Sequence, residues 1–133
     1  MIEGSCHCGA VRWVLDTRPE SATACNCTIC RRYGTLWAYD FDGEGIAVRA
    51  APEALARYVR GDGSIAFHFC RTCGCVTHWR GLTPLADGRT RIAVNLRMAA
   101  PEAVSAIPIQ RFYGLESWQD LPLDGRCVAD LWF

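Results

Sequence analysis

The chain has 133 residues and a mass of 14.7 kDa, enough for one domain around one core and too little for a second independent core. Half of it is hydrophobic and 21% is charged, which excludes a disordered chain, and no stretch of about 18 unbroken apolar residues is present to span a membrane. The 14 basic residues, every one an arginine, balance 14 acidic ones, so the chain lacks the basic footprint of a nucleic-acid binder.

Taken in order, the predicted elements are mostly short strands. Ala10–Leu15 is β-branched and aromatic. Thr35–Phe41 alternates, with Thr35, Trp37, Tyr39 and Phe41 on one face. Ile46–Arg49 follows the turn Asp42-Gly43-Glu44-Gly45. Pro52–Val59 has the composition of a helix, but Leu55–Val59 leads directly into strand-like sequence, and the segment is expected to be strand. Ser64–Cys70 alternates through Ile65, Phe67 and Phe69, and Cys75–Trp79 is its expected return strand. Arg91–Arg97 places Ile92, Val94 and Leu96 on one side. Turn signals at Gly61-Asp62-Gly63, Asp87-Gly88 and Asp124-Gly125 separate these runs. Only Thr28–Tyr33 and Pro101–Ala106, the latter with proline at its first position, read as short helices. The expectation is a single domain over residues 1–133, mainly β, with few short helices.

Nine cysteines in 133 residues are the outlying feature of the composition. The start, Met-Ile-Glu-Gly-Ser-Cys, has no signal-peptide shape, so a cytoplasmic, reducing location is expected, where clustered cysteines mean metal binding or redox catalysis rather than disulfides. Eight of the nine fall into Cys6-His-Cys8, Cys25-Asn-Cys27-Thr-Ile-Cys30 and Cys70-Arg-Thr-Cys73-Gly-Cys75; Cys127 stands apart. Short turns of this kind aim two or three sulfurs at one ion about 2.3 Å away, whereas disulfides between such near neighbours would remove little unfolded-state entropy. Zinc is the default ion for such sites, with iron as the competitor.

Glycine follows Cys8 and Cys73, and a glycine at that place lets the chain turn with positive φ and bring N–H groups toward the sulfurs. The half-sites Cys6/Cys8 and Cys70/Cys73 would then close a four-thiolate structural site. The middle cluster has three cysteines and runs into Arg31 and Arg32 instead. Three protein ligands with an open fourth position are the pattern of a catalytic zinc. Spacing leaves open whether Cys75, a histidine or another side chain completes that tetrahedron and makes both sites structural.

Cys-x-Cys-Gly, Cys-x-Cys-x-x-Cys-Arg-Arg and Phe-Cys-x-x-Cys-Gly, in that order, resemble the glutathione-dependent formaldehyde-activating enzyme family, whose domain also occurs in centromere protein V. Asn95-x-Arg97 and the stretch Ile109–Trp118 add to the likeness. The resemblance implies a zinc-stabilised β-tent of several small antiparallel sheets. It implies two zinc ions per chain, a structural one on Cys6, Cys8, Cys70 and Cys73 and a catalytic one on Cys25, Cys27 and Cys30. It further implies a carbon–sulfur lyase-type enzyme that joins glutathione and formaldehyde as S-hydroxymethylglutathione. Arg97 with Asn95, and Arg31 beside Cys30, are the expected contacts for the carboxylates of such a thiol, Arg32 less so.

Three thiolates leave a local charge of about −1 around one Zn²⁺, which weakens its Lewis acidity and favours a thiol-carrying role over hydrolysis. His7, His68 and His78 are expected to be packed or on the surface, while Trp118 and Tyr113 are candidates to wall a pocket or to join the core. The competing readings are a non-catalytic zinc module that binds a protein or nucleic acid, and a redox-sensing or metal-carrying cluster. Net charge falls to about −3 once seven thiolates hold two Zn²⁺ ions, which argues against nucleic acid.

Overall fold

The structure is a computed structural model and describes residues 1–132. Its regular elements are eleven strands, two single-turn helices and three 3-10 turns, as the mainly β expectation requires. Three strands, β1 (Ile2–Ser5), β2 (Arg12–Leu15) and β5 (Ile46–Arg49), form a small antiparallel sheet in the order β1-β2-β5. The others are β3 (Ala22–Cys25), β4 (Trp37–Phe41), β6 (Leu55–Val59), β7 (Ile65–Cys70), β8 (Val76–Gly81), β9 (Arg91–Asn95), β10 (Ile109–Tyr113) and β11 (Gln119–Asp120). They build one eight-stranded sheet, in the order β11-β10-β3-β4-β9-β8-β7-β6. Its pairings are antiparallel except β3 with β10, which run parallel with Thr23 opposite Gln110.

Alternation decides what each face of the large sheet does. In β9, Ile92 and Val94 belong to the main core while Ala93 belongs to a second cluster, so the strand is buried on both sides. The main core lies between the two sheets, where Trp13, Leu15 and Ile46 of the small sheet meet Ala38, Ile92, Val94 and Ile109 of the large one. Trp13 is 1% exposed and lies flat against Gly4, where a side chain would have no room. Its burial contributes roughly 1.5–3 kcal/mol, as for other large apolar side chains. The opposite face of the large sheet carries Trp37, Phe67 and Trp79.

Most predicted elements sit where the pattern placed them, trimmed at the ends. Pro52–Val59 divides into a 3-10 turn over Pro52–Ala54 and the strand β6. Arg91–Arg97 stops at Asn95 because the Asn95 side chain accepts the Arg97 N–H and starts a 3-10 turn over Leu96–Met98. The two helices, α1 (Cys30–Tyr33) and α2 (Pro101–Val104), are single turns inside the predicted ones. Strands β1, β3, β10 and β11 add to the predicted set. Strands β1, β3 and β11 are short and polar or alanine-rich, and β10 (Ile-Gln-Arg-Phe-Tyr) breaks alternation with two adjacent polar residues, so none carries a readable apolar period. Among the described residues no helix is long and apolar enough to cross a membrane.

Candidate functional site

Cys6 and Cys8 follow the end of β1, and Cys70 and Cys73 stand at the turn between β7 and β8. The chain bends at both places through glycine in the left-handed region, Gly9 at φ +82° and Gly74 at φ +75°, as the glycine argument requires. The turns are closed by the Gly9 N–H on the Cys6 carbonyl at 3.0 Å and the Gly74 N–H on the Cys70 carbonyl at 2.9 Å. All four sulfurs lie within 4.8 Å of one another. Cys6 Sγ is 3.7 Å from Cys8 Sγ, and Cys8 Sγ is 3.5 Å from Cys70 Sγ. A tetrahedron of thiolates about 2.3 Å from a zinc ion has edges of about 3.8 Å, so the donor set fits that ion.

Backbone N–H groups gather on these sulfurs. Val11 N–H donates to Cys6 Sγ at 3.3 Å. The Cys75 N–H first, and then the Cys8 N–H, pull the Cys73 thiol down to about 5. The Cys73 and Thr72 N–H groups lower Cys70 in the same way. Stabilised thiolates at two of the four positions are what a metal ligand set needs. Cys75 stands outside the four-sulfur set, and Cys127 opens the last 3-10 turn, where its N–H donates to Asp130 Oδ2 at 2.8 Å.

The second cluster lies on the aromatic face of the large sheet. Cys25 ends β3, Cys27 sits in the following loop and Cys30 opens α1, and their three sulfurs lie within 4.8 Å of one another. Among the described residues no fourth Cys, His, Asp or Glu joins them. The loop folds onto its own sulfurs: Cys27 N–H donates to Cys25 Sγ and Cys30 N–H donates to Cys27 Sγ, both at 3.4 Å. The Trp37 indole N–H donates to Cys30 Sγ at 3.3 Å. The Cys30 thiol donates to Cys25 and, with the Cys27 N–H, holds Cys25 below the usual thiol range; Cys30, as the donor and more deeply buried, is pushed up. Cys25 is therefore the member of the pair that ionises first.

Phe112 of β10 and Gly114 just after it fix this loop: the Asn26 N–H donates to the Phe112 carbonyl at 3.3 Å. Gly114 N–H donates to Asn26 Oδ1 at 2.8 Å. A Cβ on Gly114 would come 2.8 Å from both Cys25 Sγ and Cys27 Cβ, closer than packed atoms allow, so glycine is required for the approach. Nothing local in the sequence marks Gly114, because its constraint comes from residues almost ninety positions earlier.

The three cysteines form the floor of a cleft of about 660 Å³. Trp37, Tyr39, Phe67, Trp79, Phe112 and Trp118 supply its aromatic walls. The arginines that line it are Arg60 and Arg91. Arg91 lies over the Trp79 ring at 5.6 Å and Arg60 over the Trp118 ring at 5.4 Å.

The residues named for substrate contact sit elsewhere. Asn95, 3% exposed, accepts from the N–H groups of Leu36 and Arg97, both at 3.2 Å, and donates to the Val76 carbonyl at 2.8 Å. It therefore holds three segments together behind the cleft. Arg97 donates to the Leu131 carbonyl at 3.4 Å. Arg31 is exposed on α1 outside the cleft lining, and Arg32 is bonded to the Thr28 carbonyl. Trp118 lines the cleft and Tyr113 does not. His68 and His78 form a cross-strand pair stacked at 4.5 Å, away from the cleft lining. His7 is exposed between Cys6 and Cys8.

A Halomonas elongata protein named "Putative glutathione-dependent formaldehyde-activating enzyme" is 35% identical over 81 residues, covering 55% of this chain and 52% of that protein. The match thus spans about half the length of that relative. A crystal structure of a Rhodobacter sphaeroides protein superposes with a TM-score of 0.62 at 28% identity, over 81% of this chain and 99% of that one. A sequence profile for the glutathione-dependent formaldehyde-activating enzyme matches residues 1–106, which include both cysteine clusters and all but the last strands of the large sheet, and the chain belongs to that family.

Proposed function

We propose that this chain is a zinc-dependent carbon–sulfur lyase-type enzyme that joins a thiol to a small aldehyde, with glutathione and formaldehyde as the pair. The observation that carries the reading is a set of three thiols, with no fourth Cys, His, Asp or Glu beside them among the described residues, on the floor of a cleft large enough for a small peptide. Cys6, Cys8, Cys70 and Cys73 would hold a structural zinc, and Cys25, Cys27 and Cys30 a catalytic one. A zinc in the second place supplies the deprotonation of an incoming thiol at neutral pH.

The chain's own residues do the rest. Trp37 orients Cys30 through its N–H, and Gly114 lets the loop close on Cys25 and Cys27. The walls of Trp37, Phe67 and Trp79 keep water from the reacting sulfur and strengthen every charge interaction inside. Arg60 and Arg91 attract the carboxylates of the thiol. In the addition, the sulfur lone pair forms the new bond to the carbonyl carbon and the C=O π pair moves onto oxygen. The Tyr39 phenol, on the cleft lining and protonated at neutral pH as phenols are, donates a hydrogen bond to that oxygen, which takes its proton from solvent as the thiol's proton is released to solvent. The product is the thiohemiacetal, and the reverse reaction returns thiol and aldehyde.

The test is exchange-rate NMR of a formaldehyde and glutathione mixture with and without the zinc-loaded chain. The uncatalysed addition is fast, so acceleration above that background supports the reading. An exchange rate equal to the background at stoichiometric protein contradicts it.

A further inference from the structure

The eight-stranded sheet begins at β11 and ends at β6. Trp118 immediately precedes β11, and Arg60 immediately follows β6. The Arg60 guanidinium nevertheless lies over the Trp118 ring, 5.4 Å from its centroid. The contact is therefore made between the two most distant strands of the sheet order, across the mouth of the cleft. Trp118 holds it with φ +54°, the only described non-glycine residue at positive φ, a conformation that costs energy for a bulky side chain. Its N–H on the Tyr113 carbonyl at 2.9 Å and its ring edge against Phe112 at 6.0 Å keep it there.

The pair divides the space in two. Inside lies the cleft of about 660 Å³ floored by the three cysteines; outside lies a second cleft of about 680 Å³. Only Ile29, Arg60 and Trp118 line both. The outer cleft adds Thr28, Arg32, Tyr58 and Asp62. Two guanidinium groups against one carboxylate give it a positive balance. Arg32 is pre-oriented there by its bond to the Thr28 carbonyl at 2.6 Å. The inner cleft sets six aromatic rings around the three sulfurs, with Arg91 on its lining, and takes the arm that ends in sulfur. The cationic outer cleft suits a carboxylate carried on the body of the same molecule.

We propose that Arg60 and Trp118 form a partition between these two clefts, and that the outer cleft is a subsite for the carboxylate-bearing body of a thiol substrate whose sulfur reaches the inner floor. The proposal rests on the thiol reading above. Arg60 is then a specificity-determining residue that leaves the ring to pair with a carboxylate, and Trp118 is the positioning residue that holds it at the mouth.

The test is isothermal titration calorimetry of the zinc-loaded full chain with glutathione, its diethyl ester, S-methylglutathione and 2-mercaptoethanol, repeated on Arg60→Gln, Trp118→Ala and Trp118→Phe. Arg60→Gln weakens glutathione and S-methylglutathione by about tenfold or more, the loss expected for a charge-assisted carboxylate contact, and leaves 2-mercaptoethanol unchanged. The diester binds the wild-type chain as weakly as glutathione binds Arg60→Gln. Trp118→Ala follows Arg60→Gln, and Trp118→Phe restores the wild-type order. Equal weakening of charged and neutral thiols, or a diester that binds as well as glutathione, overturns the subsite. Should glutathione bind no tighter than S-methylglutathione while both depend on Arg60, the subsite stands and the thiol reading falls. A chain that binds none of the four overturns both.

Discussion

The Trp37 indole N–H points at Cys30 Sγ from 3.3 Å, joining the middle strand of the large sheet to the first residue of α1. A buried N–H on a thiolate favours the charged form and fixes its direction, as partners beyond the ligands do in metal sites. Trp37→Phe keeps the wall and removes only the donor. It is expected to weaken zinc at the three-cysteine site by about tenfold or more, with the four-cysteine site unaffected. Chelator competition on the two sites separately checks this; equal affinity in Trp37→Phe and wild type would remove the role given to Trp37.

Gly114→Ala tests the same loop from the other side. The new methyl group would meet Cys25 Sγ and Cys27 Cβ at 2.8 Å, so β10 or the loop must move. Expected is a folded chain that retains one zinc and loses the second. Two tightly held zinc ions in this variant would show that the approach of Gly114 is not needed.

Asn95 separates a binding role from a structural one. Asn95→Ala leaves the Leu36 N–H, the Arg97 N–H and the Val76 carbonyl without their partner, at a cost of about 2–4 kcal/mol. Urea unfolding is expected to show that loss as a lower midpoint with an unchanged slope. Full stability with weakened thiol binding would instead return Asn95 to the substrate.

The stacked His68 and His78 predict acid sensitivity. Burial lowers His68 to about 4 and His78 to about 2, from an ordinary value near 6.5. The guanidinium of Arg80 adds to this for both rings, and Arg57 and the facing ring add to it for one each, against an opposing Asp42 on His68. Between pH 6.5 and 4 the unfolded chain takes up protons that the folded one refuses, so stability rises with pH across that window. It is complete above pH 6.5 and is lost progressively as pH falls toward 4. Thermal unfolding at a series of pH values checks the slope. His68→Phe, which keeps a ring in the stack, is expected to flatten it, and an unchanged slope in that variant would assign the sensitivity elsewhere.

The division of the cysteines was legible in the sequence because each ligand turn is local: a Cys-Gly step demands a left-handed glycine whatever surrounds it, and Gly9 and Gly74 adopt one. The strands with strong alternation, such as β4 and β7, were legible for the same reason. What was not legible depends on distant pairing. The parallel partnership of β3 with β10 brings Gly114 to Cys25 and Cys27, and no pattern within either strand announces it. The arginines of the cleft follow the same rule. Arg31 adjoins Cys30 in sequence but does not line the cleft, whereas Arg91 reaches it from β9 and Arg60 from the end of β6, strands whose place is set by the sheet order. Asn95-x-Arg97 drew attention through resemblance, and its side chains turn out to join backbone segments.

Native mass spectrometry of the full chain, purified without chelator, tests most directly whether it carries two separate thiolate centres of unequal closure. The expected main species carries two zinc ions, of which mild chelation removes the one held by Cys25, Cys27 and Cys30 first and leaves a folded one-zinc chain. A metal-free chain carrying the mass loss of disulfides, or a single ion whose removal empties both clusters at once, would contradict it.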